Sequence, residues 1–305
     1  MKKLLKYLLL VSVVMLGCAC VNAKSKPIKA LIVSGQNNHN WQVSHKVLQL
    51  ILNQSGLFEA DIVLTAPARG DMSSFKPDFA AYDVVVLDYN GDRWPAETDQ
   101  AFLDYVQGGG GVVVYHAADN AFSGWEEFNK IIALGGWEGR NEKSGPYYYL
   151  KDGVPVLDNS AGPGGSHGAQ REYPMHCRDK KHPIVKGLPD NWIHAKDEMY
   201  DRMRGPANIK DLLYTGFADK QTGGSGREEP LVFTVDYGKA RIFHIMLGHA
   251  GPTAENNPAM QCAGFQTLLL RGAEWAATGK VKQPVPKDFP TDKSPSYRYN
   301  YAPAK

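Results

Sequence analysis

The residues able to do chemistry in this sequence are a few histidines and acids, each placed just after a short apolar run. Lys29–Ser34 leads into Gly35-Gln36-Asn37-Asn38-His39-Asn40-Trp41, Val112–Tyr115 into His116-Ala117-Ala118-Asp119, and Arg241–Leu247 into Gly248-His249. Imidazole is the commonest protein ligand for zinc and similar ions, and it is the side chain best suited to proton transfer near neutrality. His39, His116 and His249, converging with a carboxylate, could hold a divalent metal with an open position or share substrate binding and base duties. The candidate acids are Asp119 and Glu198, the latter in Asp197-Glu198-Met199-Tyr200. Spacing alone does not decide, since these stretches are remote from one another and no HExxH-type pattern occurs. The competing reading of each histidine is structural, and that of Asp197-Glu198 is a solvated turn.

A parallel sheet is what would gather such residues. The continuous apolar runs Val84–Leu87 and Val112–Val114 suit strands buried on both faces. Helical patterns lie between them, at Ser44–Gly56 and from Pro95 to Val106. The order βαββαβ predicts an α/β fold with an open, doubly wound, mainly parallel sheet flanked by helices, in which ligands collect beyond the carboxyl ends of the strands. The second half is less regular, with short strands near Tyr147–Tyr149, Arg171–Cys177 and Leu212–Phe217, a Gly/Ser/Pro loop at Ser160–Gly168, and a hairpin Leu231–Val235/Ala240–Leu247. It reads as a β-rich extension before a final helix from Pro258 to Thr278. Trp41, Trp94, Trp125, Trp137 and Tyr200 fall in or near loops, where aromatic faces can take the apolar face of a sugar ring. Trp41, Trp125, Tyr200 and Asn38 are the expected substrate contacts. Gly108–Gly111 precedes a strand and lacks the Lys-Ser/Thr of a phosphate loop, so it reads as a helix stop and no nucleotide cofactor is expected.

At the start, Lys2, Lys3 and Lys6 precede an apolar run from Leu8 to Leu16, then Gly17 and Cys18, which is the pattern of an export signal over residues 1–23. The run is shorter than the roughly 20 residues of a spanning helix. Two processing sites stay open: Met15-Leu16-Gly17-Cys18 resembles a bacterial lipobox, giving a lipid anchor on Cys18, while Val21-Asn22-Ala23 suits an ordinary signal peptidase. The expected place is outside the cytoplasm, in the periplasm, with any membrane contact limited to that anchor. Residues 1–23 hold three lysines and no acids, so their removal turns the formal charge of +2 into −1. Near-neutrality and the lack of a long basic run argue against nucleic acid as a partner. Cys177 and Cys262 match no zinc ribbon or CxxC motif, and sequence leaves their pairing open. One domain over residues 27–279 is expected. Lys280–Lys305, rich in proline, reads as a tail either poorly ordered or laid along the surface.

Taken in order, Asn38-His39-Asn40-Trp41, Val114-Tyr115-His116-Ala117-Ala118, Leu134-Gly135-Gly136-Trp137, His182-Pro183…Gly187-Leu188-Pro189, Asp197-Glu198-Met199-Tyr200 and Arg241-Ile242-Phe243-His244…Leu247-Gly248-His249 resemble the trehalose-utilisation (ThuA-like) family. The resemblance covers nearly all of Ile28–Thr278 and implies a flavodoxin-like fold akin to class I glutamine amidotransferases. Those enzymes place a nucleophilic cysteine in the tight turn after a central strand. Here His116-Ala117 occupies that place, so a glutaminase is not expected. The resemblance implies glycoside catabolism and a 3-keto-glycoside substrate, opened by elimination or hydrolysis at C1. In that reading His39, His116 and His249 are ligands of zinc or a similar ion, with His116, Glu198 or Asp119 as the acid/base groups. The other readings are a non-catalytic carbohydrate-binding or scaffold protein, which needs no converging histidines, and a metal-dependent hydrolase. The partner expected is a small carbohydrate, with homo-oligomers left open.

Overall fold

The structure is a computed structural model that describes residues 26–303, so the export segment 1–23, including Cys18, lies outside the described residues. In chain order the first elements are β1 (Ile28–Ser34), α1 (Trp41–Gln54), β2 (Phe58–Leu64), β3 (Val84–Leu87), α2 (Ala96–Gln107), β4 (Gly111–Tyr115) and α3 (Glu126–Ile132). Next come β5 (Tyr147–Lys151), β6 (Val154–Asp158), β7 (Ser166–His167), β8 (Arg171–Cys177), β9 (Asn191–Asp197), β10 (Tyr200–Asp201) and β11 (Ile209–Phe217). The chain closes with β12 (Glu228–Val235), β13 (Arg241–Ile245), α4 (Pro258–Gln261) and α5 (Ala263–Thr278).

The main sheet runs β2-β1-β3-β4-β13-β12-β11-β8-β9. The first five are parallel to one another, and the rest add on as antiparallel neighbours. β3 and β4 are buried along their whole length, as expected for apolar runs covered by helices on both faces. The order reverses at β1, which feeds β2 on one side and β3 on the other, opening the crevice in which ligands of such sheets sit. The extension is thus one continuous mixed sheet with the core, joined by the expected hairpin of β12 and β13. β5 and β6 form a side hairpin on β12, and β7 pairs with β10 as a separate ribbon.

One expectation changes. The final helix is broken at Cys262, whose φ of −57° and ψ of 122° leave the helical region, so α4 is one turn and α5 carries the packing. The tail is laid along the surface. Thr291 O accepts from Ile193 N–H at 2.8 Å, capping the outer edge of β9, and Phe289 packs on Trp192 at 5.3 Å between ring centres. The Arg298 guanidinium, paired with Asp288, and buried Tyr301 pin its end. Cys177 and Cys262 are both unpaired thiols. No helix among the described residues is long and apolar enough to cross a membrane.

Candidate active site

Each of the three histidines leaves a parallel core strand at its carboxyl end, and each is held by a different device. His39 lies in the loop between β1 and α1, where its backbone N–H donates to Asn37 Oδ1 at 2.9 Å and Nδ1 faces Asn38 Oδ1 at 3.0 Å. Both asparagine oxygens face Nδ1, which turns Nε2 toward Glu198 Oε2 at 3.3 Å. Asn40 next to it donates to the carbonyls of Gly251 and Pro252, both at 3.0 Å, tying this loop to the one that follows β13.

His116 is the first residue after β4 and has a φ of 43°, in the left-handed region that non-glycine residues rarely occupy. The kink turns the strand sharply into a 3-10 turn and aims the ring at the rim. Nδ1 is 2.7 Å from Met246 O, so it carries the proton and Nε2 holds the lone pair. Burial, reinforced by neighbouring His39, pushes His116 down to about 3, which keeps the ring neutral. His249 follows β13 and the kinked Gly248, and its Nδ1 is the ring atom turned inward.

Glu198 is where these three meet. Its Oε2 lies 3.3 Å from His39 Nε2, 3.8 Å from His116 Nε2 and 3.2 Å from His249 Nδ1. Burial pushes its carboxyl up, but the surrounding imidazoles outweigh burial and hold it well below the usual range, so it is ionised. His249 Nδ1 comes close to Glu198 without hydrogen-bond alignment and is a buried nitrogen lacking a hydrogen-bond partner. Tyr200 stacks on His116 at 4.5 Å between centres and sets its hydroxyl 3.1 Å from His116 Nε2 and 3.5 Å from His39 Nε2.

Four donor atoms, three imidazole nitrogens and one carboxylate oxygen, therefore lie within 4.8 Å of one another. Ligands of a tetrahedral zinc are about 3.3 Å apart, given bonds of about 2.0–2.1 Å. The spacings around Glu198 Oε2 fall near that value, the set has no soft sulfur, and the unpartnered His249 nitrogen is what a cation would satisfy. The residues present thus fit a first-row divalent ion.

His39, Glu198 and His249 line a cavity of about 570 Å³ beside which His116 is buried, walled by Asn38, Asn120, Trp137, His167, Gln170, Lys196, Tyr200 and Asn256 among others. Trp137 meets Tyr200 edge-on at 4.9 Å, and Gln170 Nε2 donates to Glu198 Oε1 at 3.3 Å. His167 pairs in register with Tyr200 across the β7–β10 ribbon, with Nε2 3.8 Å from Glu198 Oε1.

His39, His116, His249, Glu198, Asn38 and Tyr200 are thus brought together, and three expected residues are not. Asp119 is sealed beneath the sheet, its Oδ2 3.3 Å from His244 Nε2, because the 3-10 turn carries it away from His116. It is not a wall of the cavity and cannot reach a ligand there. Trp125 is taken up by the Arg93 guanidinium, 3.7 Å over its ring, and by stacking on Phe128. Trp41, at the start of α1, lies beside a neighbouring cleft instead of the histidine cavity. Trp137 is the cavity's tryptophan, and the Leu134-Gly135-Gly136-Trp137 stretch was its signal. His167, Gln170 and Lys196 had no sequence signal beyond polar residues near predicted strands.

A family model described as trehalose utilisation (ThuA) matches residues 29–276. The chain belongs to the ThuA family. A ThuA-like protein from Parabacteroides merdae, solved by crystallography, is 70% identical, covers 91% of this chain and 99% of its own, and superposes with a TM-score of 0.90. A ThuA-like protein from Bacteroides uniformis is 19% identical over 86% of this chain and 96% of its own, with a TM-score of 0.52, and shares the fold. No curated protein matches the chain. The ThuA family is tied to sugar use by its description.

Proposed function

We propose that this ThuA protein is an exported enzyme of sugar catabolism that acts at C1 of a 3-keto-glycoside, at a divalent metal site held by His39, His116, His249 and Glu198. The observation that carries the reading is the convergence of those four side chains, three of which line a polar cavity that Trp137 also lines. A non-catalytic sugar-binding scaffold has no need for converging imidazoles.

The substrate chemistry matches what such a cavity can supply. A ketone at C3 acidifies the proton on C2; a base takes that proton, the C–H electrons become the C1–C2 double bond, and the C1–O bond breaks with the leaving alkoxide taking up a proton. A divalent ion, when bound, supplies Lewis-acid polarisation of a carbonyl oxygen. The chain's own residues do the rest. Trp137 offers a ring face, while Asn38, Asn120, Gln170 and Lys196 offer donors and acceptors to hydroxyls. His167, whose Nδ1 is 2.9 Å from Gly168 O and so leaves Nε2 as the acceptor, and Tyr200 are the wall groups outside the ligand set able to move a proton.

The test is release of the aryl alcohol from an aryl 3-keto-glucoside by metal-loaded protein, before and after chelation. The reading expects turnover that chelation abolishes and metal restores, and that His116→Ala lacks. Absence of release, with equal sugar binding by the wild type and His116→Ala, would move the protein to the scaffold class. Export through Met1–Ala23, with or without an anchor on Cys18, is part of the proposal and is read by cell fractionation of the full chain.

A further inference from the structure

A second cleft opens on the same carboxyl rim, beside the histidine cavity and also of about 570 Å³. It is built by three loops: residues 35–41 after β1, 67–69 after β2 and 90–92 after β3, with Glu138 closing one side. The two cavities meet at Asn38, which lines both, and at the neighbouring pair Trp137 and Glu138, which line one each.

The cleft is preformed. Buried Gln36 donates to Ala66 O at 2.8 Å and accepts from Asp92 N–H at 2.9 Å, locking all three loops with one side chain. Gly91 sits so close that a Cβ would be 2.3 Å from Gln36, and Gly35, with a φ of 123°, would put one 2.5 Å from Thr65. Asn90 accepts from Asn38 N–H at 3.1 Å and donates to Ala117 O at 3.1 Å, fixing the boundary with the histidine cavity.

What lines this rigid frame has the chemistry of a pyranose site. Trp41 brings a partly exposed indole; Asp92 Oδ2 accepts the Arg69 backbone N–H, leaving Oδ1 open, and Arg69, Asp92 and Glu138 make no ion pair among the described residues. Two carboxylates beside a single guanidinium disfavour an anion, whereas carboxylates accept from paired hydroxyls and an indole takes the apolar ring face. The volume is that of a small-molecule site. We propose that this cleft is a second sugar subsite, holding the ring that leaves from C1, so that the substrate is a disaccharide lying across Asn38. The inference rests on the proposed function for the direction of the bond, and on the cleft itself for the binding.

The experiment is calorimetric titration of the metal-loaded protein with trehalose and with methyl α-glucoside, repeated on Trp41→Ala and Glu138→Gln. Glu138 is an exposed carboxylate, so its variant keeps the fold. The expected result is tenfold or more tighter binding of the disaccharide, reduced severalfold by Glu138→Gln and abolished as a difference by Trp41→Ala, with methyl glucoside binding unchanged and the preference recovered in Trp41→Phe. Equal binding of both sugars by the wild type, no binding of either, or unaltered preference in both variants overturns the subsite. Turnover of methyl 3-keto-glucoside reads the enzyme reaction separately: its absence alongside a Trp41-dependent preference sinks the reaction and leaves the subsite standing.

Discussion

His194 Nε2 lies 2.7 Å from Asp197 Oδ2, and neither side chain reaches solvent. The same carboxylate accepts the backbone N–H groups of Glu198 at 2.8 Å, Gly248 at 2.7 Å and His249 at 3.1 Å. One buried acid at the end of β9 therefore fixes two members of the four-residue cluster through their main chains. Asp197→Asn keeps the size and loses half of the acceptor capacity. Groups that orient ligands in this way are worth about 10–100-fold in metal affinity. The expected outcome is a loss of that order in a competitive metal titration, with a drop of about 3 kcal/mol in stability on denaturation as the buried pair is broken.

Trp137 contributes surface to the cavity and no ligand atom. Trp137→Ala should therefore leave metal content unchanged and weaken sugar binding about tenfold, which is about 1.4 kcal/mol. Titration with a glycoside, alongside metal analysis of the same sample, separates the two roles. Loss of metal in this variant would show that the indole supports the cluster and not the ligand.

Glu229, the second residue of β12, is buried, with Ser225 Oγ donating to it at 2.6 Å. Burial pushes its carboxyl up to about 7, and nearby Asp201 adds to the rise while Arg227 opposes it. A folded value above the unfolded one means the native state holds the proton more tightly, so stability is highest below about 4.5 and falls as pH rises toward 7. The loss across that window is on the order of 3 kcal/mol. Urea denaturation at pH 4.5, 6 and 7.5 should show that slope, and Glu229→Gln should flatten it by a similar amount. Asp88, held by Ser34 and Ser44 and likewise raised to about 7, supplies the slope that remains.

The tail covers the free edge of β9, the strand that ends in Asp197. Ending the chain after Gly279 exposes Trp192 and leaves the Ile193 N–H on the β9 edge unpaired. The expected result is a loss of several degrees in thermal midpoint together with concentration-dependent association in light scattering. An unchanged midpoint would make the tail an ornament.

The parallel core and the post-strand histidines were legible because they depend on local signals. Val84–Leu87 and Val112–Val114 announce doubly buried strands, and a polar residue after each lands on one rim by topology alone. Glu198 was a conditional candidate, since nothing in Asp197-Glu198-Met199-Tyr200 tells a solvated turn from the end of a buried strand. β9 decides that, and its edge is completed by Thr291, nearly a hundred residues away in sequence. Asp119 does not join the cluster because the step after β4 is a 3-10 turn starting at a left-handed His116, which points the next acid inward toward His244. Trp41 and Trp125 show the same limit: an aromatic in a loop is visible in sequence, but the groove that claims it depends on Arg93, Phe128 and the loops after β2 and β3.

The account depends most on His39, His116, His249 and Glu198 acting as one metal centre. Elemental analysis of the purified protein after loading with zinc or manganese and exhaustive dialysis tests this directly, with thermal denaturation of the same samples. The predicted result is one divalent ion per chain and a raised midpoint, both lost in His116→Ala and in Glu198→Gln. A wild-type protein that retains no ion and melts identically with and without metal would contradict it.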